Sequence, residues 1–301
     1  MHGQVALAIW LDFSEGTEMN NVVVTGCSQG IGLATALELA RAGHGVIATM
    51  RNLDKAGPLR EAVEKEALPV RIMALDVCSD ESVTACFAGI EGRVEALVNN
   101  AGIEYHGSVE EMPVAQMAEI MNTNYLGAVR CIQKVLPGMR EARNGCIVNI
   151  SSVAGRMANT PLGAYSASKH ALEAISDALA GEVKPFGIRV AVVEPGIQNT
   201  QMAQNVGVRV TNSIYPQVRR FSGLFRASLA NPVPPEVTAV IVREILESGT
   251  WKVRHPSGPD AGALIGMRAA MTDEQWVDWS AQDDEAWFDQ VQREFGLNAR
   301  V

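Results

Sequence analysis

Val22-Val-Val-Thr-Gly-Cys-Ser-Gln-Gly-Ile-Gly32 decides the fold, because it joins an apolar run of strand length to the start of a periodic segment. Gly26 permits a tight turn, Gly30 lets the backbone approach a ligand, and Gly32 allows a helix to pack closely on a strand. The free N–H groups at the start of that helix favour anionic ligands, above all phosphate. The stretch therefore predicts a pyrophosphate-binding turn between a first strand and a first helix, although three glycines alone are also found in purely structural turns.

Apolar runs of strand length alternate with helix-length segments along the rest of the chain. The expected strands are Val22–Thr25, Val46–Met50, Val70–Leu75, Val94–Val98, Ile147–Ile150, Ile188–Val193 and Trp251–Val253. The expected helices are Ile31–Ala42, Leu53–Ala67, one capped by Ser79, a long one from Pro113 to near Pro137-Gly138, Tyr165–Val183 and Pro235–Ser248. This alternation predicts an α/β fold, a doubly wound parallel sheet of about seven strands with helices on both faces.

No repeat or linker divides the 301 residues, so we expect one domain. Residues 19–255 form its catalytic part, which includes a substrate flap at 197–232. Residues 1–18 are expected to be a peripheral N-terminal extension, or alternatively a segment that packs on a partner subunit. Residues 256–301 read as a helical extension on the same domain, since Thr272-Asp-Glu-Gln275 fits a capping box. Its aromatic residues predict packing on the body or on a neighbouring subunit, or a lid over the substrate.

Composition narrows the class of partner. The net charge of −9 argues against a nucleic-acid surface, which needs clustered basic residues. No apolar run reaches the roughly 18 residues of a membrane span. Five scattered cysteines without a CxxC motif indicate reduced thiols in a cytoplasmic protein and no metal site.

The ends of the next strands point to the kind of dinucleotide. A site selective for NAD(H) usually carries an acidic residue after the second strand, where this chain has Arg51. A guanidinium can grip a 2′-phosphate, so Arg51 favours NADP(H), with NAD(H) possible if Arg51 is only a surface residue. Asp76 and Val77, after the third strand, are expected at the adenine. Asn100, Ala101 and Gly102, after the fourth, place small residues along the cofactor.

A second constellation lies further along the chain. Tyr165 and Lys169 are four residues apart, on one face of the expected helix. A free phenol titrates near pH 10, and a neighbouring ammonium lowers the pKa of a phenol. The pair therefore predicts a tyrosine tuned by its lysine for acid–base work near neutrality. A solvated Tyr–Lys pair is the alternative when the motif stands alone.

Taken together, the motifs from about Asn20 to Thr200 resemble the short-chain dehydrogenase/reductase family, whose fold is the Rossmann type. Besides the glycine turn they are Asn99-Asn-Ala-Gly102, Asn124 within Asn122-Thr-Asn-Tyr-Leu-Gly127, Asn149-Ile-Ser-Ser152, Tyr165-Ser-Ala-Ser-Lys169 and Pro195-Gly-Ile-Gln-Asn-Thr200. The first turn and Thr49-Met-Arg-Asn52 look most like the hydroxysteroid and retinol dehydrogenase branch, which favours NADP(H).

The resemblance implies a role for each matching residue. Tyr165 exchanges the proton, Ser152 rather than Ser151 stabilises the substrate oxygen, Lys169 holds the nicotinamide ribose, and Asn124 binds a water that links Lys169 to solvent. It also implies cofactor contacts along the glycine turn and after the sixth strand, at Gly26, Ser28, Gln29, Gly30, Ile31, Gly32, Pro195, Gly196 and Thr200. A homo-dimer or homo-tetramer is implied as well, through the helices that follow Pro113 and Tyr165.

The flap predicts a hydrophobic ketone, aldehyde or alcohol as substrate. Its apolar residues are Met202, Val206, Val208, Ile214, Tyr215, Phe221, Leu224 and Phe225, and other expected walls are Tyr105, His106, Met157 and Leu162. Arg219, Arg220 and Arg226 are expected to face solvent.

Three alternatives remain open at this point. One is a dinucleotide-binding sensor without chemistry, although such a protein should lack the tyrosine or lysine. The second is an NAD(H)-dependent secondary alcohol dehydrogenase of the same family. The third is a related epimerase or dehydratase, which usually has a different glycine turn.

Overall fold

The strands of the computed structural model, which describes residues 21–208 and 212–300, form one parallel sheet. They are β1 Asn21–Thr25, β2 Gly45–Met50, β3 Val70–Ala74, β4 Val94–Asn99, β5 Gly145–Ile150, β6 Ile188–Pro195 and β7 Arg254–Ser257. Their order is β3-β2-β1-β4-β5-β6-β7, and each neighbouring pair is parallel. The strand order reverses beside β1, and parallel sheets bind ligands at the carboxyl ends of the strands at such a point.

Helices cover both faces of this sheet. They are α1 Gly30–Arg41, α2 Gly57–Glu66, α3 Asp80–Ala88, α4 Val114–Met121, α5 Gly127–Ala142, α6 Gly163–Val183, α7 Gln201–Val208, α8 Pro216–Ser228, α9 Glu236–Ser248, α10 Ala261–Ala270, α11 Asp273–Ala281 and α12 Asp284–Phe295. A π-helical turn, Asn122–Leu126, joins α4 to α5. The predicted doubly wound α/β fold is confirmed, and the helical C-terminal region is present as α10 to α12.

Side chains of β1 alternate between two apolar cores, one on each face of the sheet. Val22 and Val24 pack with Leu39 of α1, whereas Val23 packs with residues of the opposite face, including Leu97 and Ile147. This alternation follows from the period of two in a strand. Both faces are apolar because helices cover both, as in other parallel sheets.

Two predicted boundaries are wrong. The long helix does not end at Pro137-Gly138 but runs on to Ala142. A proline inside a helix removes one hydrogen bond. Val135 and Met139, on either side of it, are both buried against the sheet, and their packing holds the helix together.

The last strand is Arg254–Ser257, not Trp251–Val253. Arg254 lies opposite Val192 and Ser257 opposite Pro195, so this strand is an edge that tolerates Pro256. Trp251 is instead 48% exposed beneath the ammonium of Lys184. The strand crosses the boundary expected at residue 255. The extension expected at residues 1–18 lies outside the described residues.

Candidate active site

The glycine turn closes the carboxyl end of β1 against the loop after β4. Gly26 has φ +76°, and a Cβ there would lie 2.9 Å from the Cα of Ala101. A Cβ on Gly32 would lie 2.4 Å from both the Gly26 carbonyl oxygen and Asn100 Nδ2, so only glycine fits there. The hydroxyl of Thr25 accepts hydrogen bonds from the backbone N–H groups of Asn100 (3.0 Å) and Ala101 (2.9 Å). The turn is therefore fixed from both sides.

The N-terminus of α1 opens into a cavity of about 700 Å³. Gln29, the N-cap residue of α1, makes no capping hydrogen bond through its side chain, so the first N–H groups of the helix remain available to a ligand. Gly30 has φ +58°, and a Cβ there would lie 3.3 Å from Thr200. The turn thus fits the backbone cradle that a pyrophosphate requires.

This cavity collects most of the residues predicted for cofactor and substrate. Its lining includes Gly26, Ser28, Gln29, Gly30, Ile31, Arg51, Asp76, Val77, Asn100, Ala101, Gly102, Ser152, Tyr165, Lys169, Pro195, Gly196 and Thr200. Gly32 and Asn124 lie outside it. Arg51 is exposed at the cavity edge and makes no ion pair with any described residue.

Three of the predicted catalytic side chains meet in this cavity. The Ser152 hydroxyl accepts the N–H of Ala154 (3.1 Å) and is hydrogen-bonded to Tyr165. Lys169, one helical turn after Tyr165, is only 5% exposed. Its Nζ donates to the Ile150 carbonyl (2.8 Å) and lies 5.7 Å from the centroid of the Tyr165 ring. α6 and the end of β5 therefore hold all three groups.

The net pKa shift of Tyr165 is opposite in direction to the lowering expected from its lysine neighbour. Burial raises the pKa of Tyr165 above its usual range, which outweighs the lowering by the Ser152 hydrogen bond, and the charge of Glu104 raises the pKa further. Burial also lowers the pKa of Lys169 to about 8, which Glu173 partly offsets. The charged form of each group loses water on burial. Tyr165 is therefore a neutral phenol near pH 7.

Asn124 lies in the π-helical turn, where its side chain is buried and fully engaged. Its Oδ1 accepts the N–H of Ile103 (2.8 Å), and its Nδ2 donates to the Ile103 carbonyl (2.9 Å) and to Ser168 Oγ (3.0 Å). Ser168 directly precedes Lys169. The Asn124 side chain thus connects the loop after β4 to helix α6.

Asp260 is a cavity residue that the sequence reasoning missed. Its Oδ2 accepts the N–H of Ile197 (2.9 Å), and a Cβ on Gly196 would lie 2.1 Å from its Oδ1. It thus fixes the Pro195-Gly196 corner from a position 63 residues further along the chain. Only the Gly258-Pro-Asp260 turn before α10 marked the place in the sequence.

Apolar side chains form the other end of the cavity. Met157, Leu162, Met202, Val206, Phe221, Leu224 and Phe225 line it as expected. Tyr105 and His106 do not; His106 is buried behind, with Nδ1 3.1 Å from Glu104 Oε1 and its ring against Phe221. Ile214 is 78% exposed, and Tyr215 lies outside the lining as well. Of Val208, only the backbone lies within the described residues.

The C-terminal extension completes this apolar end. Leu264, Met267, Trp279, Val291, Phe295 and Leu297 all line the cavity. Asp284 of α12 binds both Arg219 and Arg220 of α8, with Asp284 Oδ1 2.5 Å from Arg220 Nε. Arg220 is 3% exposed, so the expectation that it faces solvent is wrong, whereas Arg219 and Arg226 are exposed. Because the Arg220 charge is buried, it requires such a partner.

The family and the relatives agree with this geometry. The profile described as short chain dehydrogenase matches residues 20–210. The chain belongs to the short chain dehydrogenase family. Human retinol dehydrogenase 8 is 42% identical over 200 residues, which cover 65% of this chain and 64% of that protein. The match thus spans somewhat less than two thirds of that relative's length.

Solved structures of this family extend the likeness to most of the chain. A short-chain dehydrogenase from Streptomyces avermitilis superimposes with a TM-score of 0.75 at 29% identity, covering 93% of this chain and all of that one. A variant of actinorhodin polyketide ketoreductase with NADPH gives 0.73 at 26% identity, covering 81% of this chain and 98% of that one. The short chain dehydrogenase family binds NAD(H) or NADP(H). No helix within the described ranges is long and apolar enough to cross a membrane.

Proposed function

We propose that this enzyme interconverts a hydrophobic ketone or aldehyde and the corresponding alcohol, with NADP(H) as its cofactor. One observation carries the proposal: a single cavity joins the glycine turn and Arg51 at one end to an apolar chamber at the other. Ser152 and Tyr165 line the same cavity. Acid–base groups placed between a nucleotide cradle and an apolar chamber suit the exchange of hydride and proton on an uncharged carbonyl compound.

The described residues fit a dinucleotide. The open N-terminus of α1 and the glycine turn would hold the pyrophosphate, with Asp76 and Val77 at the adenine. Arg51, exposed and without an ionic partner among the described residues, would bind a 2′-phosphate. Pro195, Gly196 and Thr200 would hold the nicotinamide end. When bound, the nicotinamide supplies or accepts the hydride.

The proton chemistry rests on side chains of this chain. The Tyr165 hydroxyl is protonated near neutrality, so it holds a proton that a carbonyl oxygen could accept. The Ser152 hydroxyl, bonded to Tyr165, would steady the charge that develops on the same oxygen. Lys169 would bind the hydroxyl groups of the nicotinamide ribose. Asn124 would hold the loop after β4 against α6. By resemblance to the family, the segment around Asn124 would also bind a water molecule that relays protons between Lys169 and solvent.

The test is turnover of apolar ketones and aldehydes with NADPH and, separately, with NADH. We expect the absorbance of the reduced nicotinamide to fall with apolar carbonyl compounds. Tyr165→Phe should lower kcat by about 10³-fold while the protein still binds NADPH. Cofactor binding without turnover of any carbonyl or alcohol would overturn the proposed activity and favour a dinucleotide sensor. Equal rates for Tyr165→Phe and the native protein would remove Tyr165 from the mechanism.

Cofactor choice has its own test. Arg51→Asp should weaken NADPH binding by roughly tenfold to a hundredfold and leave NADH binding nearly unchanged or improved. Arg60→Asp, which alters an exposed arginine of α2 outside the cavity, is the matched control. An unchanged ratio of the two affinities in Arg51→Asp would refute selection by Arg51.

We also propose that the enzyme is a cytoplasmic homo-dimer or homo-tetramer. Val114 at the start of α4 is 78% exposed and Leu126 before α5 is 42% exposed, which supports an interface on these helices. Light scattering on the native protein and on Leu126→Lys would test this, with dissociation of the variant expected. A native protein that is monomeric at all concentrations would overturn it.

A further inference from the structure

A cluster of charged side chains lies beneath the catalytic helix, outside the cavity. Its members come from α6, from the turn after β5 and from the two strands β6 and β7. They are Glu173, Asp177, Arg156, Glu194 and Arg254, called here the basal cluster. None of them lines the cavity, and the reaction outlined above uses none of them directly.

Arg254 is the centre of this cluster. Its Nε lies 3.1 Å from Glu173 Oε2 and 3.7 Å from Glu194 Oε1, and its Nη2 lies 2.7 Å from Asp177 Oδ2. Glu173 and Glu194 are 5% and 2% exposed, so both carboxyl groups are inside the protein. Buried carboxylates need compensating charge. The single edge-strand arginine supplies it to three acidic groups.

Glu173 follows Lys169 by four residues on α6, so both side chains lie on the same helical face. The Lys169 ammonium is buried and has one hydrogen bond, to the neutral carbonyl of Ile150. Gly155 leaves room for the acid, since a Cβ there would lie 3.0 Å from Glu173 Cγ. The fold thus places a carboxylate one turn behind a lysine that has no acidic hydrogen-bond partner among the described residues.

We propose that Glu173 is a positioning residue for Lys169, which keeps the buried ammonium charged under working conditions while Arg254 compensates the carboxylate from the other side. The inference rests on the proposed function, because it concerns the lysine of that reaction. The direction agrees with the titration of the lysine: burial lowers the pKa of Lys169 to about 8, and Glu173 is the group that raises it. Without Glu173, Lys169 would lose its proton at a lower pH.

Other charged or titratable groups lie on α6 and on the elements that pack around it. They are Tyr165 on α6, Glu104 and His106 after β4, Arg156 after the turn that follows β5, Glu194 on β6, Arg254 on β7, Asp177 on α6 and Asp260 before α10. Among these, Glu194 is coupled to Glu173, because the charge of Glu173 raises the pKa of Glu194. Removing Glu173 lets Glu194 ionise more readily, which opposes part of the effect on Lys169.

The experiment compares Glu173→Gln with Asp177→Asn in the full-length enzyme. Both variants remove one negative charge from Arg254, but Glu173 alone lies one turn from Lys169. The first readout is the pH dependence of kcat/KM for an apolar ketone with NADPH. The second is the titration of Lys169 by NMR of protein with ¹³Cε-labelled lysine, its signal assigned with Lys169→Met. The NMR readout does not require turnover, so it separates this inference from the proposed function.

For Glu173→Gln we expect the alkaline limb of the pH profile and the Lys169 titration to move down by about one pH unit. At pH values on the alkaline limb, that shift lowers kcat/KM by up to roughly tenfold, and near pH 6 it leaves kcat/KM unchanged. Glu173→Gln combined with Glu194→Gln should shift the limb further, because the opposing charge is gone. Asp177→Asn should move neither quantity by more than about 0.2 units.

An unshifted Lys169 titration in Glu173→Gln, or an equal shift in Asp177→Asn, overturns the proposal. If Glu173→Gln does not fold, Glu173→Met gives the same test without a buried amide and with the same expected shift. If no ketone is turned over, the proposed function fails, and the NMR titration alone decides for or against the role of Glu173.

Discussion

Ser151 and Ser152 are neighbours in the chain, yet their hydroxyls have different surroundings. Ser152 Oγ is hydrogen-bonded to Tyr165, whereas Ser151 Oγ is buried and has no hydrogen-bond partner within the described part of the chain; it lies close to where a Cβ on Gly155 would be. In the proposed reaction, Ser152 rather than Ser151 would therefore act on the oxygen that Tyr165 protonates.

Ser152→Ala should lower kcat by about 10²-fold, because it removes one donor to the developing oxyanion. Ser151→Ala, the matched control, should stay within about threefold of the native rate, because its hydroxyl has no partner to lose. Steady-state kinetics with saturating NADPH measure both. A larger loss in Ser151→Ala than in Ser152→Ala would reverse the assignment.

Glu194 gives a second prediction at the scale of one residue, this time on stability. Burial raises the pKa of Glu194 to about 7, against roughly 4.3 for a free glutamate. The folded protein therefore binds more protons than the unfolded chain between these values, and the free energy of unfolding falls as pH rises through this window. The contribution of a protonated Glu194 is complete below about pH 4 and lost above about pH 7.

Glu194→Gln should remove this dependence and should stabilise the protein by about 2 kcal/mol near pH 8 relative to the native chain. Urea unfolding at several pH values measures it, with the exposed Glu244→Gln as control. A native free energy of unfolding that stays constant or rises from pH 5 to 7, with Glu194→Gln following the same curve, would contradict the prediction.

At the scale of elements, α8 and α12 pack against each other beside the apolar end of the cavity. Arg220 is buried between Asp284 and the ring of Trp287, whose centroid lies 5.9 Å from the guanidinium carbon. Leu224 and Ala227 of α8 pack on the aromatic cluster of α12. Breaking the ion pair leaves the arginine charge buried without compensation.

Asp284→Asn should therefore reduce the free energy of unfolding by about 2 kcal/mol and raise KM for the ketone more than it changes kcat. Asp289→Asn, which removes an exposed partner of Arg300, should cost less than about 0.5 kcal/mol. Thermal unfolding and steady-state kinetics report both effects. Equal free energies of unfolding for the two variants would show that the ion pairs of Asp284 do not stabilise the packing of α8 against α12.

The same scale explains which elements the sequence could predict. Strands buried on both faces can be recognised as continuous apolar runs such as Val22–Thr25, because the helices on each side of the sheet require apolar residues. β7 could not be recognised, since Arg254-His-Pro-Ser257 is an edge strand whose place depends on the ion pairs of Arg254 with distant acids. The extent of α5 depended likewise on packing across Pro137, which no local pattern expresses.

The candidate site divides in the same way. Gly26, Ser152, Tyr165 and Lys169 were predictable, because local spacing on one turn or one helix brings them to the strand ends. Asp260 was not, because its contact with Ile197 depends on where α10 packs. The titration of Tyr165 was wrongly predicted for a related reason: the spacing gave the lysine neighbour, but burial decides the direction of the shift.

At the scale of the whole molecule, the cavity is lined by residues from both ends of the described chain. Phe295 is a partly buried aromatic residue that lines this cavity. Phe295→Ala should raise kcat/KM for long-chain ketones relative to short ones by about tenfold and leave NADPH binding unchanged. Phe288→Ala, buried in the adjacent cluster but outside the cavity, should not alter this ratio. A ratio unaffected by Phe295→Ala would exclude it as a determinant of chain length.

The lining of the cavity also carries a consequence for biosynthesis. The residues proposed to hold the nucleotide run from Gly26 to Thr200 and form the cradle, whereas several apolar residues of the cavity wall come from Leu264 to Leu297. A polypeptide leaves the ribosome amino end first. The cradle can therefore assemble while the chamber still lacks its outer wall. We expect a product truncated near Thr272 to keep the residues proposed to hold the nucleotide but to lack Trp279, Phe295 and Leu297, which leaves the apolar end of the cavity more open to water.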